Sequence, residues 1–308
     1  MIERRAFVFQ GIEHPAFEAR GAGDGPKLSL IAGIHGCEYS SIAAVVRFMN
    51  ELDTSELAGT ITAVPVVSME SFRQRSPFVV PADGKNLNRS FPGSLEGTYT
   101  DVLARSIYEE LIAPADVLID LHGGDQVEGL EPFATYEASP AEERAHGIAV
   151  AFNLPYVVRE ERPEGGLGGL TTSAAAAAGI PGVIAEAGGR GLLEESAVQL
   201  LVAGVRNVLR HVEMLPGEPD PPPAGQRRVR SFIWLRSTHE GWWASAVESG
   251  EEVTEGQLLG RVRNLWGDVL EEITAARDGV ILFITTSPAV GADGLLLGLG
   301  ADLVEAAR

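Results

Sequence analysis

Two alternating patterns of apolar and polar residues run through the first two thirds of the chain. Continuous apolar runs such as Leu28–Ile34 are typical of buried strands, whereas apolar residues three or four positions apart predict amphipathic helices. Because the two patterns take turns, they predict an α/β fold with a mostly parallel mixed sheet flanked by helices. Helices are expected over residues 39–52, 99–112, 141–152, 171–178 and 194–214.

The pattern breaks in the proline-rich segment MLPGEPDPPPAGQRR. We therefore predict a first domain over residues 1–218, a linker over residues 219–229 and a smaller domain over residues 230–308. The last domain has short strand-like runs between glycine-containing turns, which predicts an all-β fold. It resembles the barrel-sandwich fold of biotinyl and lipoyl domains. Those carriers need an attachment lysine, but both lysines, Lys27 and Lys85, precede the linker, so a carrier function is excluded.

Metal-type ligands lie at the ends of predicted strands. His35 follows the first buried strand, Glu38 comes three residues later at the turn into a helix, and His122 ends a later strand. In open α/β sheets, ligands bind beyond the carboxyl ends of the strands. Two imidazoles and one carboxylate are the ligands of one class of zinc hydrolase, which keeps a fourth position for water or substrate. The sequence predicts one zinc ion per chain at these three residues.

A further carboxylate, Glu186, ends another apolar strand just before two glycines. An ionisable group that closes a buried strand needs a partner or a function. We predict that Glu186 takes a proton from metal-activated water and delivers it, although an exposed strand-end residue is the alternative. Asp120 lies two residues before His122, so the two side chains point to the same side of the strand.

Residues 69–93 lack periodicity and predict a long ordered loop, which in a compact domain tends to be functional. Arg89 and Asn88 in this loop are candidates for binding an anionic group of a substrate, because arginine binds carboxylates with a planar fork of donors. Arg75 would then be free to stabilise an oxyanion. A set of surface cations is the alternative interpretation.

Four motifs occur in the order GIHGCE, NLNRSFPG, DLHGG and IAEAGG, within residues 28–190. Together they resemble the succinylglutamate desuccinylase/aspartoacylase family, a branch of the zinc carboxypeptidase-like fold. The resemblance implies the following roles: zinc ligands His35, Glu38 and His122; substrate-carboxylate binding by Asn88 and Arg89; a transition-state arginine, Arg75 with Arg73 as competitor; a general base, Glu186; and Asp120 orienting a ligand or a substrate amine.

The resemblance and the residues together predict a zinc-dependent amidohydrolase that acts on linear amides and removes the acyl group of an N-acyl amino acid. Two alternatives remain. A zinc carboxypeptidase would share the metal and the arginine but cleave peptide C-termini, and a catalytically inactive protein would only bind small molecules in the same pocket. We also expect the all-β domain to restrict access to the pocket, with oligomer contacts as its alternative role.

Composition restricts the kinds of partner that the protein is expected to bind. The net charge of −19 argues against nucleic acid or an anionic membrane as the main partner, since both attract basic surfaces. A single cysteine, Cys37, rules out an internal disulfide, and there is no apolar run of membrane-spanning length. These features predict a cytoplasmic enzyme with a small-molecule substrate. Homo-oligomer formation, the acyl group and the amino acid are left open. The glycine-rich residues 165–169 are expected to form a loop near the pocket.

Overall fold

The computed structural model describes residues 1–160 and 168–306. Residues 165–167 of the expected glycine-rich loop lie outside these ranges. The strands are β1 (Ile2–Phe9), β2 (Ile12–Arg20), β3 (Gly23–Ala32), β4 (Ala58–Val64), β5 (Val117–His122), β6 (Glu128–Leu130), β7 (Phe133–Glu137), β8 (Tyr156–Glu160), β9 (Gly182–Glu186), β10 (Arg227–Val229), β11 (Ser231–Arg236), β12 (Gly241–Ser245), β13 (Glu252–Val253), β14 (Leu258–Arg263), β15 (Val269–Thr274), β16 (Gly279–Thr285), β17 (Ala289–Val290), β18 (Leu295–Ala301) and β19 (Val304–Glu305).

The helices are α1 (Tyr39–Glu51), α2 (Met69–Gln74), α3 (Tyr99–Ile107), α4 (Glu142–Ala151), α5 (Thr171–Ala177) and α6 (Glu195–His211). A 3-10 turn covers Leu87–Arg89, and a π-helical turn, Tyr108–Ile112, continues α3. None of the helices in the described ranges is long and apolar enough to cross a membrane.

The main sheet has ten strands in the order β1-β2-β4-β3-β5-β9-β7-β8-β10-β19. Pairing is parallel from β4 to β9 and from β7 to β10. It is antiparallel at both edges and between β9 and β7. The α/β class and the helix-flanked sheet are as predicted, but the sheet is mixed to a larger extent than "mostly parallel" implies. The direction of β7 was not evident from its short apolar run.

Helices cover both faces of the main sheet, and alternate residues of its central strands fill two separate cores. Leu30 and Ile119 pack with Phe48 of α1 and with residues of α4 and α6. Their neighbours Ile31 and Leu118 pack on the opposite face with residues of α3 and α5. Because successive side chains of a strand point to opposite faces, burial on both sides requires the unbroken apolar runs seen in the sequence.

The loop over residues 69–93 is more regular than its sequence suggests, since it contains α2 and the 3-10 turn. Its far end is tied to α3 by Asp83, whose carboxylate accepts hydrogen bonds from the Thr98 hydroxyl and from the Thr100 amide, the latter at 2.9 Å. These contacts hold the loop in one conformation beside the strand ends.

The C-terminal region is all-β, as predicted, and consists of two sheets of short strands with a shared apolar core. Strand pairing joins it to the rest of the structure at two points. Strand β6, from the first part of the chain, pairs with β16. The end of the predicted linker forms β10, which pairs with β8 in the main sheet and with β19 at the chain's end. Residues 227–229 are therefore strand rather than unstructured linker.

Candidate active site

The carboxyl ends of neighbouring parallel strands bring four predicted site residues together. Strand β3 ends at Ala32, and the turn that follows carries His35 and Glu38 to the start of α1. Strand β5 ends at His122, which pairs in register with Glu186 at the end of β9. Paired residues present their side chains on the same side of the sheet, so the imidazole and the carboxylate face the same space.

The carboxylate of Glu38 lies between two imidazoles. Its Oε1 atom is 2.7 Å from Nδ1 of His35, and its Oε2 atom is 3.1 Å from Nδ1 of His122. One ligand atom from each residue lies within 4.8 Å of the other two. Two ring nitrogens and a carboxylate oxygen converging at this spacing are suited to a divalent metal ion.

The second nitrogen of each imidazole contacts a side-chain oxygen. Nε2 of His35 is 3.1 Å from Oδ1 of Asn86, and Nε2 of His122 is 3.1 Å from Oδ2 of Asp120. Both oxygens are acceptors, so with a metal at the cluster each Nε2 would carry the proton and each Nδ1 would offer its lone pair to the metal. The same Asp120 oxygen accepts a hydrogen bond of 2.6 Å from the Thr171 hydroxyl.

The electrostatics of the cluster favour a negative carboxylate beside positive charge. Burial opposes ionisation of Glu38, but the imidazoles of His122 and His35 outweigh it and lower the pKa of Glu38 to about 2. Burial also disfavours a charged His122, yet Asp120 and Glu38 raise the pKa of this imidazole well above its usual value. The surrounding carboxylates thus stabilise positive charge at this point, which a divalent cation would supply. The donor set and its supporting residues fit a metal ion.

Two glycines allow the backbone to come close to the site. A Cβ atom on Gly36 would lie 2.1 Å from the Phe72 amide nitrogen, and one on Gly169 would lie 2.3 Å from the Arg89 carbonyl oxygen. Gly169 also has a φ of +94°, which side-chain-bearing residues rarely adopt. A larger residue at either position would displace the turn of the metal ligands or the Arg89 loop.

The cluster opens into a cavity of about 440 Å³. The main-sheet part of the chain supplies its floor, and the C-terminal region supplies its other wall. The residues of that wall are Phe232, Trp234, Phe283, Thr285, Ala289, Val290, Gly291, Gly294 and Leu295. The rings of Phe232 and Trp234 are 4.6 Å apart, and those of Trp234 and Phe283 are 5.4 Å apart. The all-β region thus lies at the pocket, as the sequence led us to expect.

Asn88 and Arg89 line the cavity beside the metal cluster. Asn88 is buried, and its Oδ1 accepts a hydrogen bond of 3.1 Å from the Thr171 amide. Arg89 donates from Nη1 to the Asn88 carbonyl oxygen at 2.6 Å, which directs the guanidinium along the loop. Among the cavity-lining residues in the described ranges, Arg89 is the single arginine or lysine.

Three carboxylates besides Glu38 line the same cavity, those of Glu186, Glu128 and Glu160. Burial raises the pKa of Glu186 well above its usual value, and the neighbouring Glu38 and Glu128 add to the shift while His122 opposes it. Burial likewise raises the pKa of Glu128 and that of Glu160 to about 7. A metal ion at the cluster would act in the opposite direction on Glu186, because positive charge favours the ionised carboxylate.

Two of the predicted site residues lie outside the cavity lining. Arg75 follows α2 with a φ of +53°, and its carbonyl oxygen accepts a hydrogen bond from Gln126 at 3.4 Å. Arg73, the alternative candidate for this role, instead contributes to lowering the pKa of the buried His14 through its positive charge. Asp120 is fully buried and contacts the ring of His122, and its role in orienting a ligand or a substrate amine stays a prediction. The transition-state role of Arg75 stays a prediction.

Three further residues at the site, Glu160, Glu128 and Thr171, were not expected there from the sequence. Glu160 ends β8 as Glu186 ends β9, so the criterion that selected Glu186 would have selected Glu160 as well. Glu128 gave no local signal, because its position depends on the pairing of β6 with the distant β16. Thr171 acts through contacts with two remote segments, at Asn88 and Asp120.

Comparison with known proteins identifies the family of the chain. The catalytic-domain model of the succinylglutamate desuccinylase/aspartoacylase family matches residues 24–212. The N-alpha-acetyl-L-2,4-diaminobutyric acid deacetylase of Halomonas elongata is 31% identical over 270 residues, which cover 84% of this chain and 77% of that protein. The chain therefore belongs to the succinylglutamate desuccinylase/aspartoacylase family, which confirms the resemblance found in its motifs.

Solved structures share the fold over nearly the whole chain. A succinylglutamate desuccinylase/aspartoacylase from Rhodobacter sphaeroides has a TM-score of 0.85 at 24% identity, covering 99% of this chain and 95% of its own. The apo structure of the ectoine utilization protein EutE from Ruegeria pomeroyi has a TM-score of 0.81 at 26% identity, covering 97% of this chain and 95% of its own. The all-β C-terminal region is thus part of the shared architecture.

Metal analysis tests the ligand cluster. We expect the purified protein to contain about one zinc ion per chain, because two imidazoles and a carboxylate match a catalytic zinc site. His122→Ala should lose most of this metal, as measured by elemental analysis after dialysis. His239→Ala, in the C-terminal region beside Glu271, is the matched control and should keep it. Full zinc occupancy in His122→Ala would show that the ligand set is wrong.

Proposed function

We propose that the protein is a zinc-dependent hydrolase that removes the acyl group from the nitrogen of an N-acyl amino acid. One observation carries the proposal: the cluster of His35, Glu38 and His122, the Glu186 carboxylate and the Arg89 guanidinium all line one cavity. A metal centre, a proton acceptor and an anion-binding group are what hydrolysis of an amide close to a carboxylate requires.

Each residue has a distinct role in this proposal. Zinc, when held by the three ligands, supplies a Lewis acid that polarises the amide carbonyl and makes water more acidic. Glu186 takes the proton from the attacking water and delivers it to the departing nitrogen, and the burial that raises its pKa favours holding that proton between the two steps. Arg89, with Asn88, binds the substrate carboxylate. Asp120 and Asn86 orient the metal ligands.

The acyl group that we propose is acetyl. The Halomonas elongata relative is a deacetylase of an N-acetylated amino acid, and its match covers most of this chain. We further propose that the enzyme acts in the cytoplasm on a small molecule. Release of acetate, succinate or formate from a panel of N-acyl amino acids would identify the acyl group directly.

The C-terminal region favours this function over that of a peptide-cleaving carboxypeptidase. Its aromatic residues form one wall of the cavity and occupy space next to the metal cluster. We propose that this wall excludes long peptides by shape and so restricts the enzyme to small amides. A catalytically inactive binding protein is less consistent with a site that retains the ligands, the proton acceptor and the cation together.

The proton-transfer role is tested by Glu186→Gln. The amide keeps the shape of the side chain but cannot accept a proton, so kcat for an N-acetyl amino acid should fall by ~10²- to 10⁴-fold. Zinc content and product affinity, measured in parallel, should stay near those of the wild type. A variant with near-normal kcat would place the base elsewhere.

The anion-binding role is tested by Arg89→Ala with two forms of one substrate. We expect KM for an N-acetyl amino acid to rise roughly 10- to 100-fold, because a hydrogen bond to a charged group contributes about 1.5–3 kcal/mol. KM for the corresponding carboxamide, which lacks the negative charge, should change much less. Equal increases for both forms would make Arg89 a structural residue.

The shape of the cavity wall is tested by Trp234→Ala. Removing this indole should raise kcat/KM for N-acetyl dipeptides about tenfold relative to N-acetyl amino acids. Trp242→Ala is the matched control, since this exposed indole lies in the same region but does not line the cavity. Unchanged relative rates in Trp234→Ala would contradict a restricting wall.

A further inference from the structure

One carboxylate in the cavity, that of Glu160, has no role in the proposed reaction. Glu160 is the last residue of β8, and its side chain is partly buried where it lines the cavity. Within the described ranges its carboxylate makes no hydrogen bond and no ion pair shorter than 4.0 Å. A buried carboxylate without a partner is costly, so its position points to a ligand that supplies the missing partner.

The other charged groups of the cavity already have partners or tasks. Arg89 is assigned to the substrate carboxylate, and Glu186 to proton transfer. Glu128 accepts a hydrogen bond of 2.9 Å from the Asp125 amide. Once a substrate carboxylate neutralises Arg89, the described lining offers no cation for Glu160.

The location of Glu160 assigns it to the amino-acid part of a substrate rather than to the acyl part. Strand β8 is separated by β9 and β7 from β5, which carries the metal ligand His122. Neighbouring strands lie about 4.8 Å apart, so three spacings place Glu160 well beyond the reach of an acetyl group bound at the metal. Arg89 interacts electrostatically with both Glu160 and Glu186, and the three residues line the same cavity.

The electrostatic setting of Glu160 favours a cationic partner. Burial raises its pKa to about 7, and the negative charge of Glu137, its partner in register on β7, adds to the shift while Arg89 opposes it. An ammonium group placed against the carboxylate would restore the ionised form and would form a charge-assisted hydrogen bond.

We propose that Glu160 binds the side-chain ammonium of the substrate, so that the preferred substrates are N-acyl diamino acids. The α-carboxylate of such a substrate lies at Arg89, its amide lies at the metal cluster, and its second amine reaches Glu160. This inference rests on the proposed function for its substrate, but its contacts involve only the amino-acid part of the ligand.

Substrate pairs that differ only in charge test the proposal. The charged members are the Nα-acetyl derivatives of 2,4-diaminobutyrate, ornithine and lysine, and the uncharged members are those of 2-aminobutyrate, norvaline and norleucine. Wild-type kcat/KM should favour the charged member of at least one pair by roughly 10- to 100-fold, because the ammonium gains a hydrogen bond to a charged group. In Glu160→Gln this preference should disappear, mainly through KM.

Glu128→Gln is the matched comparison, because Glu128 lines the same cavity and has a similarly raised pKa. If its substitution removes the preference and Glu160→Gln does not, the ammonium site is at Glu128 and the proposal is overturned. Equal losses on both members of a pair in Glu160→Gln would make Glu160 a structural residue. A wild type with no preference for any charged member would also overturn the proposal.

Calorimetry separates this proposal from the proposed function. The free diamino acids and their uncharged analogues contain the groups that Arg89 and Glu160 would bind, so their affinities can be measured without turnover. Tighter binding of a diamino acid by the wild type, lost in Glu160→Gln, would support the ammonium site even if no acetyl derivative were hydrolysed. Equal affinities for diamino acids and analogues would overturn it even if deacetylation were observed.

Discussion

The site depends on one buried carboxylate, that of Glu38. Its side chain is 2% exposed, each of its oxygens faces an imidazole nitrogen, and the Gly123 amide donates a third contact at 3.2 Å. A buried negative charge is tolerated only when such partners surround it. Two of these contacts, those with His122 and Gly123, join the turn after β3 to the end of β5, so the carboxylate that assembles the predicted metal ligands also links the ends of two neighbouring strands.

The site could be predicted from sequence where local pattern and sheet geometry coincide. His35, His122 and Glu186 each follow or end an apolar run, and parallel strands end at the same edge, so their meeting is a consequence of topology. The role of Arg75 was harder to predict, because an irregular loop carries no periodicity from which a side-chain direction can be inferred. The position of Glu160 at the site could have been predicted, because this residue also ends an apolar strand.

Other features depend on long-range pairing and have no local signature. The short runs that form β6 and β10 carry no sign of their partners, so the first was missed and the second was taken as linker. The same holds for the direction of β7, which makes the sheet mixed. The pattern of apolar residues indicates that a segment is a strand. Which other strand it pairs with is decided by the packing of the whole chain.

The pairing of β6 with β16 has a consequence for the newly made protein. The predicted metal ligands and Glu186 precede residue 190, whereas the opposite wall of their cavity is formed by residues between 232 and 295. During synthesis the ribosome therefore presents these segments before the residues of the opposite wall. Because β16 must leave the ribosome before it can pair with β6, this wall is completed only after the segments that carry the His35, Glu38 and His122 cluster have been made.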